Sequence, residues 1–298
     1  MRLEQKHDVF IKNVKAIYIE ITAACNRDCV FCPNADGRRL PKNITKNYYK
    51  SNIKDNFSFP EEAYSELTAE IGHAGYKNSF GFHLYNEPLL DIDIFKSRLR
   101  IARLNLPNAK LTLNTNGDFL CEDLLRELHD LGLNHLHVSL YAPNKGSAYD
   151  FDQMSASVLS KAESLNLGGQ ALMRSARGVS YNVRVGGMSV KIDATNFNIV
   201  GVGYDRAAVI SFLTKYKRQG NCTSPTDQIL IDYNGNCLPC CNIHTSTPNY
   251  QQYILGNVLE QDLFDIYQNS KYQEWRHGCS FSPPIFDICK SCSRGDQK

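Results

Sequence analysis

The chain has 298 residues, 42% of them hydrophobic and 21% charged, with 33 basic against 31 acidic side chains and a formal net charge of +2. That composition supports a sizeable core, and the length predicts one large domain with a smaller appendage, since single cores stop growing at roughly 250 to 300 residues. The basic residues are scattered, without the stripe of a nucleic-acid binder. There is no signal-like start and no run of about 20 apolar residues, so the expectation is a cytoplasmic protein with no nucleic-acid or membrane partner.

Residues 1–14 read as an N-terminal extension. Ala16 to Ala23, AIYIEITA, reads as a buried strand running into Cys25. Asp36 to Phe59 reads as a long loop, and Pro60 to His73 as a helix, with Pro at its first turn and acidic residues after it. The rhythm continues through strand Ser79 to Leu84, helix Ile92 to Leu104, strand Leu111 to Thr115, helix Glu122 to Leu131, strand His135 to Tyr141 and helix Met154 to Leu165. Such alternation predicts an α/β fold with a parallel sheet and crossover helices. When such a sheet curls into a barrel, its site lies at the C-terminal strand ends. Cys25, Asn86 and Glu87, Asn114 to Gly117, and Ser139 with Tyr141 all fall there.

Beyond that the pattern blurs, with strands expected over Ala171 to Val185 and Met188 to Ile192 and a helix over Ala207 to Lys217. QILIDYNGNCLP reads as a hairpin turning at Asn234-Gly235, followed by a helix over Leu259 to Tyr272. His83, His135 and His137 read as core or lining residues, and Tyr85 and Tyr141 as cavity-lining candidates.

The cysteines carry the chemistry. There are eleven, an odd number bunched toward the two ends of a chain without an export signal, which argues for metal ligands or catalytic groups over a disulfide framework. Cys25, Cys29 and Cys32 form CxxxCxxC. Three thiolates in one short loop can hold three irons of a [4Fe–4S] cube and leave the fourth open; zinc is the rival metal, but no fourth ligand is evident in that loop. In the second group Cys222 is followed by twelve residues, Gly235, four residues and Cys240, and later by Cys289 and Cys292 as CxxC. Four cysteines also make an ordinary zinc site.

A strand leading into CxxxCxxC, with aromatic Phe31 before the last cysteine, resembles the radical S-adenosylmethionine superfamily. The resemblance implies a [4Fe–4S] cluster on Cys25, Cys29 and Cys32 that binds S-adenosylmethionine and cleaves it reductively to a 5′-deoxyadenosyl radical. Tyr85-Asn86-Glu87-Pro88 resembles the family's GGEP motif, with Tyr85 and Asn86 in place of two glycines, and would place Glu87 on the methionyl ammonium. Asn116 resembles the family's TNG segment, Ser139 stands where a ribose-binding polar residue is usual, and Arg174, in competition with Arg177, resembles a basic residue that approaches the nucleotide. The second group is similar to the truncated SPASM module called Twitch and implies an auxiliary [4Fe–4S] cluster on Cys222, Cys240, Cys289 and Cys292.

Of the spare thiols, Cys121 reads as structural, Cys237 has no assigned role, and Cys241 and Cys279 are candidates for returning a hydrogen atom to a substrate radical. The expected architecture is a partial (β/α)6 TIM-type barrel over residues 15–205 with a small α/β iron–sulfur module over 206–298. The resemblance implies hydrogen abstraction from a sugar or aminocyclitol-like metabolite in natural-product biosynthesis, ending in oxidation or epimerisation, with flavodoxin or ferredoxin as the reducing partner. Maturation of a ribosomal peptide is the alternative within the family. A non-catalytic zinc or redox metalloprotein is the alternative outside it.

Overall fold

The computed structural model describes residues 2–33, 58–141, 148–169, 171–245 and 248–296. The loop expected over Asp36 to Phe59 therefore lies, except for its last two residues, outside the described residues.

Helix α1 (Leu3–Asn13) occupies what the sequence suggested was only an extension. Its Phe10 is fully buried and meets Phe264 and Tyr267 edge-on at 4.9 and 5.2 Å, so the start of the chain docks on its C-terminal region. Strand β1 (Ala16–Ile19) follows, then α2 (Glu61–His73), β2 (Ser79–Gly81), α3 (Ile92–Asn105), β3 (Lys110–Thr115), α4 (Glu122–Asp130), β4 (His135–Leu140) and α5 (Phe151–Ser164). Apolar side chains at helical spacing bury one stripe of each crossover helix, as Leu124, Leu125 and Leu128 do in α4. Side chains of Asp91 and Asp150 accept backbone N–H groups at the starts of α3 and α5.

The remaining strands are β5 (Met173–Ser175), β6 (Gly178–Val185), β7 (Met188–Thr195), β8 (Gln228–Ile231), β9 (Asn236–Leu238) and β10 (Gly256–Asn257). A one-turn helix, α6 (Ser224–Asp227), leads directly into β8. The ten strands of the described residues form one sheet in the order β10-β9-β8-β1-β2-β3-β4-β7-β6-β5. The six strands from β8 to β7 in that order run parallel, and antiparallel hairpin partners extend both ends. This is the parallel core of a partial barrel. Its sixth parallel strand is supplied by the C-terminal hairpin, with Ala16 to Ile19 in register with Gln228 to Ile231, so the sheet continues across residues 205 and 206. Along β4, Leu136 and Val138 are fully buried in the core, while His135, His137 and Ser139 alternate to the other face.

Two helix expectations fail. Ala207 to Lys217 is not a helix: Arg206, Ala207 and Ala208 all have positive φ, and only a 3-10 turn forms at Ser211–Leu213. Long-range contacts hold this backbone, with Arg206 donating to the Cys241 carbonyl and Asp205 accepting from Ala208 N and Asn242 Nδ2. Leu259 to Tyr272 is instead two helices, α7 (Leu263–Gln268) and α8 (Ser270–Cys279), capped by the side chains of Asp262 and Asn269. The hairpin turn at Asn234-Gly235 is present, with Gly235 at φ +83° and its N–H on the Asp232 carbonyl. Among the described residues no helix is long and apolar enough to cross a membrane.

Candidate active site

A cavity of about 270 Å³ opens at the C-terminal ends of the parallel strands. Cys25, Cys29 and Cys32 line it together with Phe31, Asn86, Glu87, Asn116 and Ser139, so most of the sequence-derived site residues share one space. The three thiols arise from one loop after β1, turned by a bond from Cys32 N–H to the Cys29 carbonyl at 2.9 Å. Burial first, then mutual repulsion and the nearby Glu87 carboxylate, pushes Cys25 up to about 12, and burial with Cys32 does the same to Cys29. Donors crowded in this way suit a strongly positive centre that stabilises them as thiolates. Three thiols from one short loop beside an open cavity suit a [4Fe–4S] cluster with one iron left open.

Glu87 is 2% exposed. Its oxygens accept from Thr115 Oγ1 at 2.6 Å, Asn116 N at 2.7 Å and Leu89 N at 3.1 Å. Burial raises its carboxyl above the usual range while these bonds pull it back. A carboxylate has about four acceptor positions, which leaves one for a cationic ligand in the cavity. Gly117, at φ +79°, allows the turn that aims Asn116 N at Glu87; a Cβ there would lie 2.6 Å from Val138 Cγ1. Asn86 is held by Leu84 N on its Oδ1, and Ser139 bonds to the Tyr141 phenol.

Several residues at the site have no counterpart in the sequence reading. Asp118 accepts from Asn26 Nδ2 at 2.7 Å and from Arg27 Nε and Nη2 at 2.8 and 2.5 Å, and Asn116 Nδ2 reaches Asn26 Oδ1 at 2.8 Å. This clamps the cysteine loop to the exit of β3, and the Arg27 guanidinium holds Asp118 below the usual carboxylate range. The available signal was position, since Asn26 and Arg27 lie inside CxxxCxxC and Asp118 follows TNG. Phe197 stacks on Phe31 at 4.0 Å and 12°, and Tyr141 meets Phe31 at 4.6 Å, giving the cavity an aromatic wall. Tyr204 and Arg206 line the side toward the C-terminal region. Neither they nor Phe197 belong to any periodic pattern.

Arg174 is not brought to the cavity. It lies on β5, exposed, paired with Asp152 at 3.0 Å. The strand that joins β4 in parallel is β7, and Arg174 belongs to the antiparallel hairpin at the sheet edge. Arg177, its sequence competitor, lies in the β5–β6 turn and also does not line the cavity.

A second cavity is lined by Cys222, Cys240, Cys289 and Cys292, the four cysteines expected to act together, and also by Cys279. Cys279 bonds to both Cys222 and Cys289, and as the donor to Cys222 it is pushed up while Cys222 is drawn down. Its backbone carbonyl also accepts from Cys222 N at 2.9 Å. Cys241 faces Arg294 Nη1, 2.5 Å from its sulfur. Neither Cys241 nor Cys279 lines the larger cavity. Cys237 is fully buried on β9, and Cys121 is exposed at the start of α4.

The two cavities are linked. Tyr85, which stands where the resembled motif has glycine, donates its phenol to the carbonyls of Cys241 at 2.5 Å and Ile243 at 2.8 Å. Arg206 lies over the Tyr85 ring at 5.2 Å and also donates to Cys241 O, at 2.5 Å. Both side chains line the larger cavity, and Cys241 follows Cys240 in the chain.

Known families match the segments that carry the two cysteine groups. Residues 19–154 match the Radical SAM superfamily, and residues 222–293 match SPASM, an iron–sulfur cluster-binding domain. The chain is similar to the S-adenosyl-L-methionine-dependent 2-deoxy-scyllo-inosamine dehydrogenase of Niallia circulans, 25% identical over 93% of this chain and 92% of that one. It is also similar to the GTP 3′,8-cyclase of Nautilia profundicola, 26% identical over 96% of this chain and 79% of that one. The solved structure of BtrN in complex with AdoMet and 2-DOIA superposes with a TM-score of 0.62 at 21% identity, covering 95% of this chain and 94% of that one. The solved structure of histidine-tagged anSMEcpe with bound AdoMet superposes with a TM-score of 0.52 at 13% identity, over 95% of this chain and 90% of that one.

Proposed function

We propose, on the premise that this chain belongs to the radical SAM superfamily and carries a C-terminal SPASM-type iron–sulfur domain, that it is a dehydrogenase oxidising an alcohol of a small polyhydroxylated, aminocyclitol-like substrate. The clusters and S-adenosylmethionine, when bound, supply hydrogen-atom abstraction from an unactivated C–H bond and a place for one electron. Everything else is the work of this chain's side chains. Cys25, Cys29 and Cys32 would hold the first cluster, and Glu87 would take the methionyl ammonium on its remaining acceptor position. Asn116, Asn86 and Ser139 would orient the nucleoside, and the Phe31, Phe197 and Tyr141 wall would exclude water. Cys222, Cys240, Cys289 and Cys292 would hold the second cluster.

One observation carries the choice of oxidation: Tyr85 and Arg206, on the wall of the larger cavity, are both hydrogen-bonded to the residue that follows Cys240. The substrate side of the cavity is thereby coupled to the second cysteine set, which suits removal of an electron. Epimerisation needs a hydrogen donor facing the substrate, and the two candidate thiols, Cys241 and Cys279, line other ground. The dehydrogenase named among the relatives, aligned over nearly the full length of both chains, supports the same choice and the aminocyclitol class. The non-catalytic zinc reading leaves the Glu87 network without a purpose. An external low-potential donor, flavodoxin or ferredoxin, would supply the reducing electron.

The test is anaerobic incubation of reconstituted protein with S-adenosylmethionine, a reductant and 2-deoxy-scyllo-inosamine or related aminocyclitols. Equal amounts of 5′-deoxyadenosine, methionine and ketone are expected. Solvent deuterium at a retained alcohol carbon, without ketone, would establish epimerisation in place of oxidation.

A further inference from the structure

Among the described residues, the wall of the second cysteine cavity carries two guanidinium groups and no carboxylate. Arg218, 3% exposed, donates to the carbonyls of Gly220, Cys292 and Arg294 at 2.8, 3.1 and 2.7 Å, and also to that of Asn221. Arg294 donates to Ser224 Oγ at 3.1 Å, to Gln228 Oε1, and to Cys241 Sγ at 2.5 Å. None of these acceptors is a carboxylate. Asp296 is near enough to be influenced by Arg218, but its oxygens accept from Gln219 N, Gly220 N and the Tyr216 phenol. Asp205 is turned to Ala208 N, Asn242 Nδ2 and Ser291 Oγ.

Arg218 is thus buried and Arg294 partly buried with no carboxylate among their acceptors, an arrangement that is costly unless an anion lies alongside. Four thiolates around a doubly positive [4Fe–4S] core leave a dianion, and one further electron makes a trianion. Net charge and hydrogen bonding near such a cluster set its potential. Arg294 also stands between the two sites, since it lines the cysteine cavity and lies 5.6 Å from the ring of Tyr204, which lines the larger one.

We propose that Arg218 and Arg294 are the counter-cations of the auxiliary cluster, and that Arg294 is a positioning residue whose charge raises the cluster's midpoint potential so that it can accept an electron from the larger cavity. The inference rests on the oxidative reading above. Oxidising an alcohol to a ketone removes a hydrogen atom, a proton and an electron; the hydrogen atom leaves with the deoxyadenosine, the proton goes to solvent, and the electron is the one the auxiliary cluster takes up.

The experiment is an EPR-monitored redox titration of the full chain in a Cys25→Ala, Cys29→Ala, Cys32→Ala background, where only the second cluster remains. Arg294→Gln is expected to move the midpoint to more negative potential by at least a tenfold change in the reduction equilibrium, 59 mV for one electron. Arg294→Lys should stay close to the parent. Loss of iron in Arg294→Gln with retention in Arg294→Lys would also support a requirement for charge. Equal midpoints in all three proteins would overturn the proposal, and so would loss of iron in both variants, because guanidinium geometry and not charge would then be at work. A parent that binds no iron would overturn the auxiliary-cluster assignment itself, a result separate from either.

Discussion

Glu87→Gln preserves the volume of a buried side chain and removes its charge. Glu87 Oε1 accepts from Thr115 and Leu89, and Oε2 accepts from Asn116 N. The amide has one acceptor oxygen, so its NH₂ must face a donor on one side or the other. Losing one such charge-assisted bond costs about 1.5–3 kcal/mol, partly offset because the burial that raises the Glu87 carboxyl no longer opposes a charge. A ligand ammonium loses a comparable interaction, about 1.5–3 kcal/mol, which weakens Kd by about 10- to 150-fold. The assay is calorimetric titration of S-adenosylmethionine into anaerobically reconstituted protein, with wild type and variant matched for iron. An analogue lacking the amino group should bind both proteins alike. A variant Kd within about threefold of wild type at equal iron content would show that Glu87 does not meet the ammonium, and the reasoning from its hydrogen bonds would be wrong.

Asp118→Asn removes the carboxylate under Arg27; because the pair is half-exposed the effect should be about 1 kcal/mol, read as roughly fivefold faster iron release to a chelator with little change in melting temperature. Tyr85→Phe leaves the Ile243 carbonyl without its Tyr85 donor and the Cys241 carbonyl with Arg206 alone, and should cost about 1–3 kcal/mol in chemical denaturation. The same variant should keep cleaving S-adenosylmethionine while ketone formation per deoxyadenosine falls. His83, on the cavity wall, is lowered to about 3 by burial and by His137 and His135. Its folded value lies below its unfolded value near 6.5, so as pH falls below 6.5 the unfolded chain takes up a proton that the folded chain refuses. Wild type should therefore lose roughly 1 kcal/mol more stability than His83→Gln between pH 6.5 and 5.5, measured by urea midpoints.

What the sequence alone determined is what local chemistry encodes. Apolar alternation and helical spacing marked the parallel strands and crossover helices from β1 to α5, because periods of 2 and 3.6 follow from backbone geometry regardless of partners. Cysteine spacing marked both metal sets, and Asn234-Gly235 marked the hairpin, since only certain residues tolerate such a turn. Glu87, Asn116 and Ser139 were legible because barrel topology sends strand ends to one mouth.

Tertiary structure decided the rest. The run Arg206 to Ala208 has residues acceptable to a helix, yet contacts with Cys241 and Asn242 hold it in left-handed backbone and bring Tyr204 and Arg206 to the cavity. The β8 strand completes the parallel set by pairing with β1 from more than 200 residues away in the chain, and α1 docks on α7 across a similar separation. Arg174 was misplaced because its strand folds back as an edge hairpin and β7 takes the neighbouring place. Asp118 beneath the cysteine loop, Phe197 against Phe31 and Arg294 beside Cys241 likewise depend on which distant segments meet, and that is settled by burial and charge pairing across the fold, for which no local pattern exists.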